Sequence, residues 1–302
     1  KEALSHAQKE MEFVEKHAIG LYYYKDLNYP YRLQQCVDAP LVLYTKGEMN
    51  VNPKHVVSVV GTRMPSERGK DWCRWLVLDL AERVPDLTIV SGLAYGIDVV
   101  AHRAAIEAGV PTIIVPAHGL DRIYPAVHRQ VAVEAVKNGG ILTEYTCGTE
   151  PERHNFVARN RIVAGMADAV VVVESKVKGG SLITANMAID YGRDVFALPG
   201  RANDVCSAGC NSLIKSNKAQ LIECADDLIQ SMQWEDASKE GLQTTLVDLL
   251  VELTPIQKQL VDLLQEAENG LHINQLVMET QLAYSSVSSE LVMLELEDVV
   301  KS

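Results

Sequence analysis

Six apolar runs recur along the first two-thirds of the chain: VVSVV (56–60), LTIVS (87–91), PTIIVP (111–116), GGILTE (139–144), AVVVVE (169–174) and DVFALP (194–199). Between them, apolar residues return at helical spacing near 66–84, 98–109, 126–138, 155–166 and 181–192. Strands that are apolar on both faces and separated by helices predict an α/β domain with a buried, mostly parallel sheet and helices on each side. Ligands of such sheets sit at the carboxyl ends of the strands. Those ends carry small and polar residues here: Gly61-Thr62-Arg63, Ser91-Gly92, Pro116-Ala117-His118-Gly119, Glu144, Glu174 and Pro199-Gly200. The pattern predicts a cleft along that edge.

The flanks differ from this middle. Residues 1–50, with Leu21-Tyr22-Tyr23-Tyr24 and Leu41-Val42-Leu43-Tyr44, read as a lead-in that packs on the sheet formed within 51–235. The charged stretch WEDASKEG (234–241) breaks the pattern and is expected to be a linker. Beyond it, 241–302 forms a small α domain. A helix begins with Pro255 in its first turn, His272–Thr280 and Tyr284–Glu297 follow, and the ending QLAYSSVSSELVMLELED reads as a winged helix-turn-helix whose wing is missing.

Length and composition narrow the class. The 302 residues suit two domains, and 47% hydrophobic with 23% charged residues is ordinary for a chain with a sizeable core. The longest apolar runs fall far short of the ~20 residues of a membrane span. The opening KEALSHAQKEMEF is charged and helix-prone rather than signal-like, so a cytoplasmic location is expected. Cys36, Cys73, Cys147, Cys206, Cys210 and Cys224 are scattered as free thiols would be, and Cys206 and Cys210 lack the further ligands of a zinc site, so no metal is expected.

The net charge of −12 is unevenly spread. Residues 153–222 are net +4, whereas 223–302 are net −13. The middle is therefore suited to an anionic partner and the tail to a different task.

Chemistry concentrates after the Val171–Glu174 run, where Gly179-Gly180 precede Ser181 and a helical pattern. Strand, glycine turn and helix N-terminus make an anion site, because free N–H groups and the helix dipole point outward together. The sole Gly-Lys, Gly69-Lys70, is followed by Asp71 inside a helix, which counts strongly against a P-loop. The spacing of GLAYGID (92–98) does not match a dinucleotide fingerprint, which counts against NAD. A nucleotide phosphoribohydrolase would use P-G-G-x-G-T-x-x-E. Gly179 and Gly180 fit it, but Leu182 and Ile183 replace the second Gly-Thr and Asn186 stands where the Glu should be. An amide accepts no proton as a carboxylate would, which favours holding a phosphate over cutting. Asp98 and His102 lie one helical turn apart, a spacing that fits helix capping and packing better than a catalytic dyad.

A binding reading rests on PERHNFVARNRIVAG (151–165), which places Arg153, Arg159 and Arg161 around Phe156 with no acid between Glu152 and Asp168. Cations tracking a backbone, with an aromatic for base stacking, hold single strands without sequence preference. A purely structural reading instead puts Phe156 in the core and the two later arginines on opposite helix faces.

Several motifs then decide between these. Gly61-Thr62-Arg63, SGLAYGIDVVAH (91–102), Tyr124-Pro125, RNRIVAG (159–165), the VVVES…GGSLITA run (171–185), GRDVFALPG (192–200) and SAGCNSLI (207–214) resemble the DNA-processing protein A family, DprA or Smf. The resemblance covers roughly residues 20–230. It implies an extended Rossmann-like domain that binds single-stranded DNA, a homodimer, no metal or nucleotide cofactor, and the loading of RecA recombinase onto incoming DNA in natural transformation. By position, it implies DNA contacts at the turn Gly61–Arg63, at Ser91 and Gly92, at Arg153, Phe156, Arg159, Asn160 and Arg161, and at Lys176, Lys178, Gly179, Gly180 and Ser181. Val157 stands where the family usually has Pro, Tyr95 where it commonly has a basic residue, and its N-terminal helical domain is largely absent from these 302 residues. Leu213, Ile214 and Leu221 fall where the family's partner subunits meet.

Two other classes stay open: a nucleotide-cleaving enzyme, and a protein whose main task is docking other proteins. The candidate recognition helix Tyr284–Glu297 has no basic residue and carries Glu290, Glu295 and Glu297. A duplex-reading helix needs cations facing phosphates, so the C-terminal domain is expected to dock proteins or self-associate instead.

Overall fold

Val57 and Val59 of the strand His55–Val60 (β3) face one side of the sheet, Val56 and Val60 the other, and all four are buried. Burial on both faces requires strand neighbours on each edge and a helical layer above and below. The computed structural model, which describes residues 2–234, 254–265, 271–296 and 300, provides all of these around β3. The chain divides into two units, Lys1–Ala237 and Ser238–Ser302.

In the first unit, α1 (Glu2–Lys16), β1 (Gly20–Tyr23), α2 (Tyr31–Gln34) and β2 (Val42–Lys46) precede β3. Then come α3 (Glu67–Arg83), β4 (Leu87–Ser91), α4 (Ile97–Ala108), β5 (Thr112–Ile114), α5 (Arg129–Lys137) and β6 (Gly139–Thr143). α6 (Arg153–Gly165), β7 (Ala169–Val172), α7 (Gly180–Asp190), β8 (Asp194–Ala197), α8 (Ala208–Lys215), β9 (Gln220–Leu221) and α9 (Ala225–Met232) complete it. The sheet runs β1-β2-β6-β5-β4-β3-β7-β8-β9. The pairs β1–β2 and β2–β6 are antiparallel and the remainder are parallel.

One face of the sheet, with Val57, Val59, Ile89, Val171 and Phe196, packs on α3, α4 and α9. The other, with Val56, Val60, Val170 and Val172, packs on α6, α7 and α8. β3 leads on to β4 on one side, whereas its other neighbour, β7, leads on to β8 on the opposite side. The loops after β3 and β7 therefore diverge and leave a crevice at their carboxyl ends, the usual ligand position in open α/β sheets.

Two expectations are revised. The N-terminal lead-in packs on the core through Tyr29 and Leu33 but also extends the sheet, with β2 paired to β6 (Tyr44 opposite Thr143) and β1 to β2. Its residues alternate between buried and partly exposed positions along β2, as an antiparallel strand near an edge requires. Arg32 of α2 fastens this extension: it is buried, pairs with Asp168 at 2.7 and 2.8 Å, and donates to the carbonyls of Pro53 and Lys54 at 2.9 Å. The strands are also shorter than the apolar runs, since β5, β7 and β8 stop at Ile114, Val172 and Ala197. Beyond the end of β7, Ser175 and the residues that follow it line the crevice, whereas Leu198, Pro199 and Gly200 beyond β8 line a separate pocket.

In the second unit, α10 (Pro255–Gln265), α11 (Ile273–Thr280) and α12 (Tyr284–Leu296) close around Leu260, Leu276, Val287 and Leu294. His272 caps α11 by accepting the Asn274 N–H at 3.3 Å. Beyond Trp234, the expected linker lies outside the described residues.

Candidate nucleic-acid interface

The crevice is a cleft of about 640 Å³. Val60, Thr62 and Arg63 line it from the end of β3, Gly92 and Ala94 from the loop after β4, and Arg153, Phe156 and Asn160 from one face of α6. The opposite wall is Ser175–Ser181, where the chain turns from β7 into α7. The first N–H groups of α7 have no intrahelical acceptor, and the helix dipole adds positive potential there. Gly179 is needed because a Cβ would collide with the Ser175 hydroxyl, while a Cβ on Gly180 would meet nothing within 4 Å. Ser181 donates to Ser175 Oγ at 2.8 Å and holds the turn closed.

Arg63, Arg153, Lys176 and Lys178 are exposed around this turn, and none has a carboxylate within ion-pair distance among the described residues. The Arg63 guanidinium lies 5.2 Å from the centroid of the half-buried Phe156 ring. Phe156 is thus held beneath a cation with part of its face open, and Tyr124 stands beside it with ring centroids 6.1 Å apart.

Arg159 lines the floor rather than the rim. It is 4% exposed, donates through Nη1 to the Val115 carbonyl, and lies directly under Gly92, where any Cβ would strike the guanidinium. Asp98 is its charge partner. Burial raises the Asp98 carboxyl above the usual carboxylate range, while the Arg159 charge and N–H groups from Ala94 and Gly92 oppose the rise. Burial likewise lowers the Arg159 pKa, against the pull of Asp98. His102 lies in the core with Nδ1 2.7 Å from Thr112 Oγ1, and burial pushes its pKa down to about 3. Its ring thus bonds to Thr112, and no hydrogen bond among the described residues joins it to Asp98.

The structure separates three predicted site residues from the cleft. Ser91 turns inward and donates to the Val59 carbonyl at 2.6 Å. Gly61 packs against Ile97, 2.5 Å from where its Cβ would be, and spaces β3 from α4 rather than lining the cleft. Arg161 pairs with Glu144 on the flank of α6 and does not line the cleft. Conversely, the cleft brings in Asp98, Pro151, Ser175 and Thr184, which the sequence did not mark as contacts. Pro151, Ser175 and Thr184 lie within the segments 151–165 and 171–185 already singled out, and Asp98 carried the signal of an acid in the first turn of a helix.

The two strand-end glutamates singled out by the sequence are engaged in structure. Glu174 accepts the Ser66 N–H at 2.8 Å and its hydroxyl at 2.5 Å, and Glu144 is paired with Arg161. Asn186 donates to the Leu182 carbonyl at 2.8 Å, accepts from Lys218 at 3.2 Å, and does not line the cleft. Cys210 is buried against the carbonyls of Val172 and Val173, and all six cysteines are free thiols.

A family model, DNA recombination-mediator protein A, matches residues 20–233, the segment that builds the sheet and its cleft. The chain belongs to the DprA/Smf family. The DprA winged helix domain matches residues 247–302, so the unit that holds α10–α12 is the winged-helix domain of that family. Protein Smf of Synechocystis sp. is 35% identical across 91% of this chain and 76% of its own length. DNA processing protein DprA of Streptococcus pneumoniae is 39% identical across 68% of this chain and 72% of its own length. An X-ray structure of the S. pneumoniae DprA superposes with a TM-score of 0.66 at 36% identity, covering 72% of this chain and 77% of that one. The Helicobacter pylori DprA structure, described for its single-stranded DNA binding mode, superposes with a TM-score of 0.64 at 31% identity, covering 71% and 95%. No helix among the described residues is long and apolar enough to cross a membrane.

Proposed function

We propose that this DprA/Smf protein holds single-stranded DNA in the cleft and does not cut it. One observation carries the reading: four exposed cations, none with a carboxylate in ion-pair distance among the described residues, surround a glycine turn at a helix N-terminus, with the half-buried Phe156 ring beside them. Phosphates of a strand fit the turn and its cations, and a base fits Phe156. The single-stranded DNA binding described for the H. pylori relative supports it. Asn186 in place of a catalytic Glu, and the structural engagement of Glu144 and Glu174, favour holding over hydrolysis. Phe156→Ala is expected to cost about 1–3 kcal/mol in single-strand affinity, read by fluorescence anisotropy; an unchanged Kd would remove Phe156 from the site.

A recombination mediator of this family would bring the bound strand to RecA recombinase in the cytoplasm during natural transformation. The acidic winged-helix domain, whose helix α12 carries Glu290 and Glu295 and no cation, is the surface offered to proteins. We place a homodimer contact at the open edge of the sheet. There Leu221, on the terminal strand β9, is 46% exposed, and it lines a groove of about 470 Å³ together with Ile214. Leu213 is buried in the monomer core and only supports that edge. Light scattering at tens of micromolar is expected to show a dimer that Leu221→Lys dissociates; a monomeric wild type would rule the contact out.

A further inference from the structure

Next to the cleft lies a small notch lined by Arg63, Tyr95, Tyr124 and Phe156. It shares Arg63, Gly92, Ala94 and Phe156 with the cleft, so the two form one continuous surface. Tyr95 is 50% exposed and Tyr124 47%, which is unusual company for two large rings beside a row of cations. The backbone fixes Tyr95 there. Gly96, at φ +81°, lies so close to the Thr62 carbonyl that no Cβ fits, and Ile97 N–H bonds to that same carbonyl at 3.2 Å. The Tyr95 ring is braced from below by His128, with centroids 5.0 Å apart at 64°. His128 is itself held by Nδ1 at 3.0 Å from the Leu93 carbonyl. A ring locked on one side and open on the other costs little entropy when a flat partner covers it.

We infer that Tyr95 is a second stacking platform, taking the nucleobase adjacent to the one on Phe156, with Tyr124 as the facing wall. The notch encloses only about 30 Å³, so the base lies across its mouth against the open ring faces rather than inserting. A tyrosine at this position contributes stacking and no charge, so it strengthens the grip on bases without adding a phosphate contact. The inference rests on the single-stranded DNA reading of the cleft.

The test is anisotropy titration of wild type, Tyr95→Ala and Tyr95→Phe with oligodeoxythymidylate over a salt series, with melting temperature measured for each variant. Tyr95→Ala is expected to weaken binding roughly fivefold to a hundredfold, the span of one lost base–aromatic stack. Its salt slope is expected to stay that of wild type, since no cation is removed. Tyr95→Phe retains wild-type affinity. An oligonucleotide carrying 2-aminopurine is expected to lose part of its quenching in the Tyr95→Ala complex. A wild type that binds while Tyr95→Ala binds equally well, or merely melts lower, overturns the platform and leaves the cleft reading intact. A wild type that does not bind single strands overturns both.

Discussion

Arg159→Leu is expected to lower the stability of the first domain by about 1–3 kcal/mol, the usual cost of leaving a buried polar group, here the Val115 carbonyl, without its partner. The guanidinium is buried beneath Gly92, bonded to the Val115 carbonyl, and its charge is what draws the buried Asp98 carboxyl back toward ionisation. With leucine in its place, Asp98 must either remain charged in the core or take up a proton. The second route limits the damage, so Asp98→Asn in the Arg159→Leu background is expected to restore part of the loss. Urea denaturation of the two single variants and the double variant measures this coupling directly. Additive effects would mean that the two side chains act independently. Because Arg159 forms the cleft floor, its loss also blurs the position of the loop from Gly92 to Gly96, and binding falls with it.

How much of this was readable in the chain depends on where each residue's partners lie. The central strands were legible because β-branched residues fill both faces of β3, β4 and β7, a pattern that only a covered parallel sheet satisfies. The glycine turn before α7 was legible for a similar reason: everything that makes it an anion site lies within residues 171–185. Arg161 was not, since the segment 153–165 shows three arginines and no acid, while Glu144, which claims Arg161, arrives from the end of β6. Ser91 was misleading because the side chain direction at a strand's last residue sets whether it meets a ligand or the neighbouring strand, and here it meets Val59. The runs that became β1 and β2 were visible, but their place in the sheet was not, because β2 pairs antiparallel with β6 about a hundred residues away; β9, two residues long, is too short for any periodicity to declare itself. The aromatic group of Tyr95, Tyr124 and Phe156 is assembled from three separate loops and helices and has no local signature at all.

One titration tests the DNA-holding cleft most directly: single-stranded and duplex oligonucleotides against the wild type and an Arg63→Ala, Lys178→Ala double variant, across a salt series. The wild type is expected to prefer the single strand. Removing two charged phosphate contacts is expected to cost about 3 kcal/mol, taking the lower end for a charged hydrogen bond, which is over a hundredfold in Kd. The loss should be alike for all sequences, and the salt slope should flatten by about 1.4, at ~0.7 for each phosphate released from a single strand. A chain ending at residue 240 should bind within about threefold of wild type, under ~1 kcal/mol, because the cations belong to the first domain. Electrophoresis of the same samples should show the oligonucleotides intact. A folded double variant with wild-type affinity and salt slope, or cleaved strands in those samples, would contradict the reading of this cleft as a site that holds DNA without cutting it.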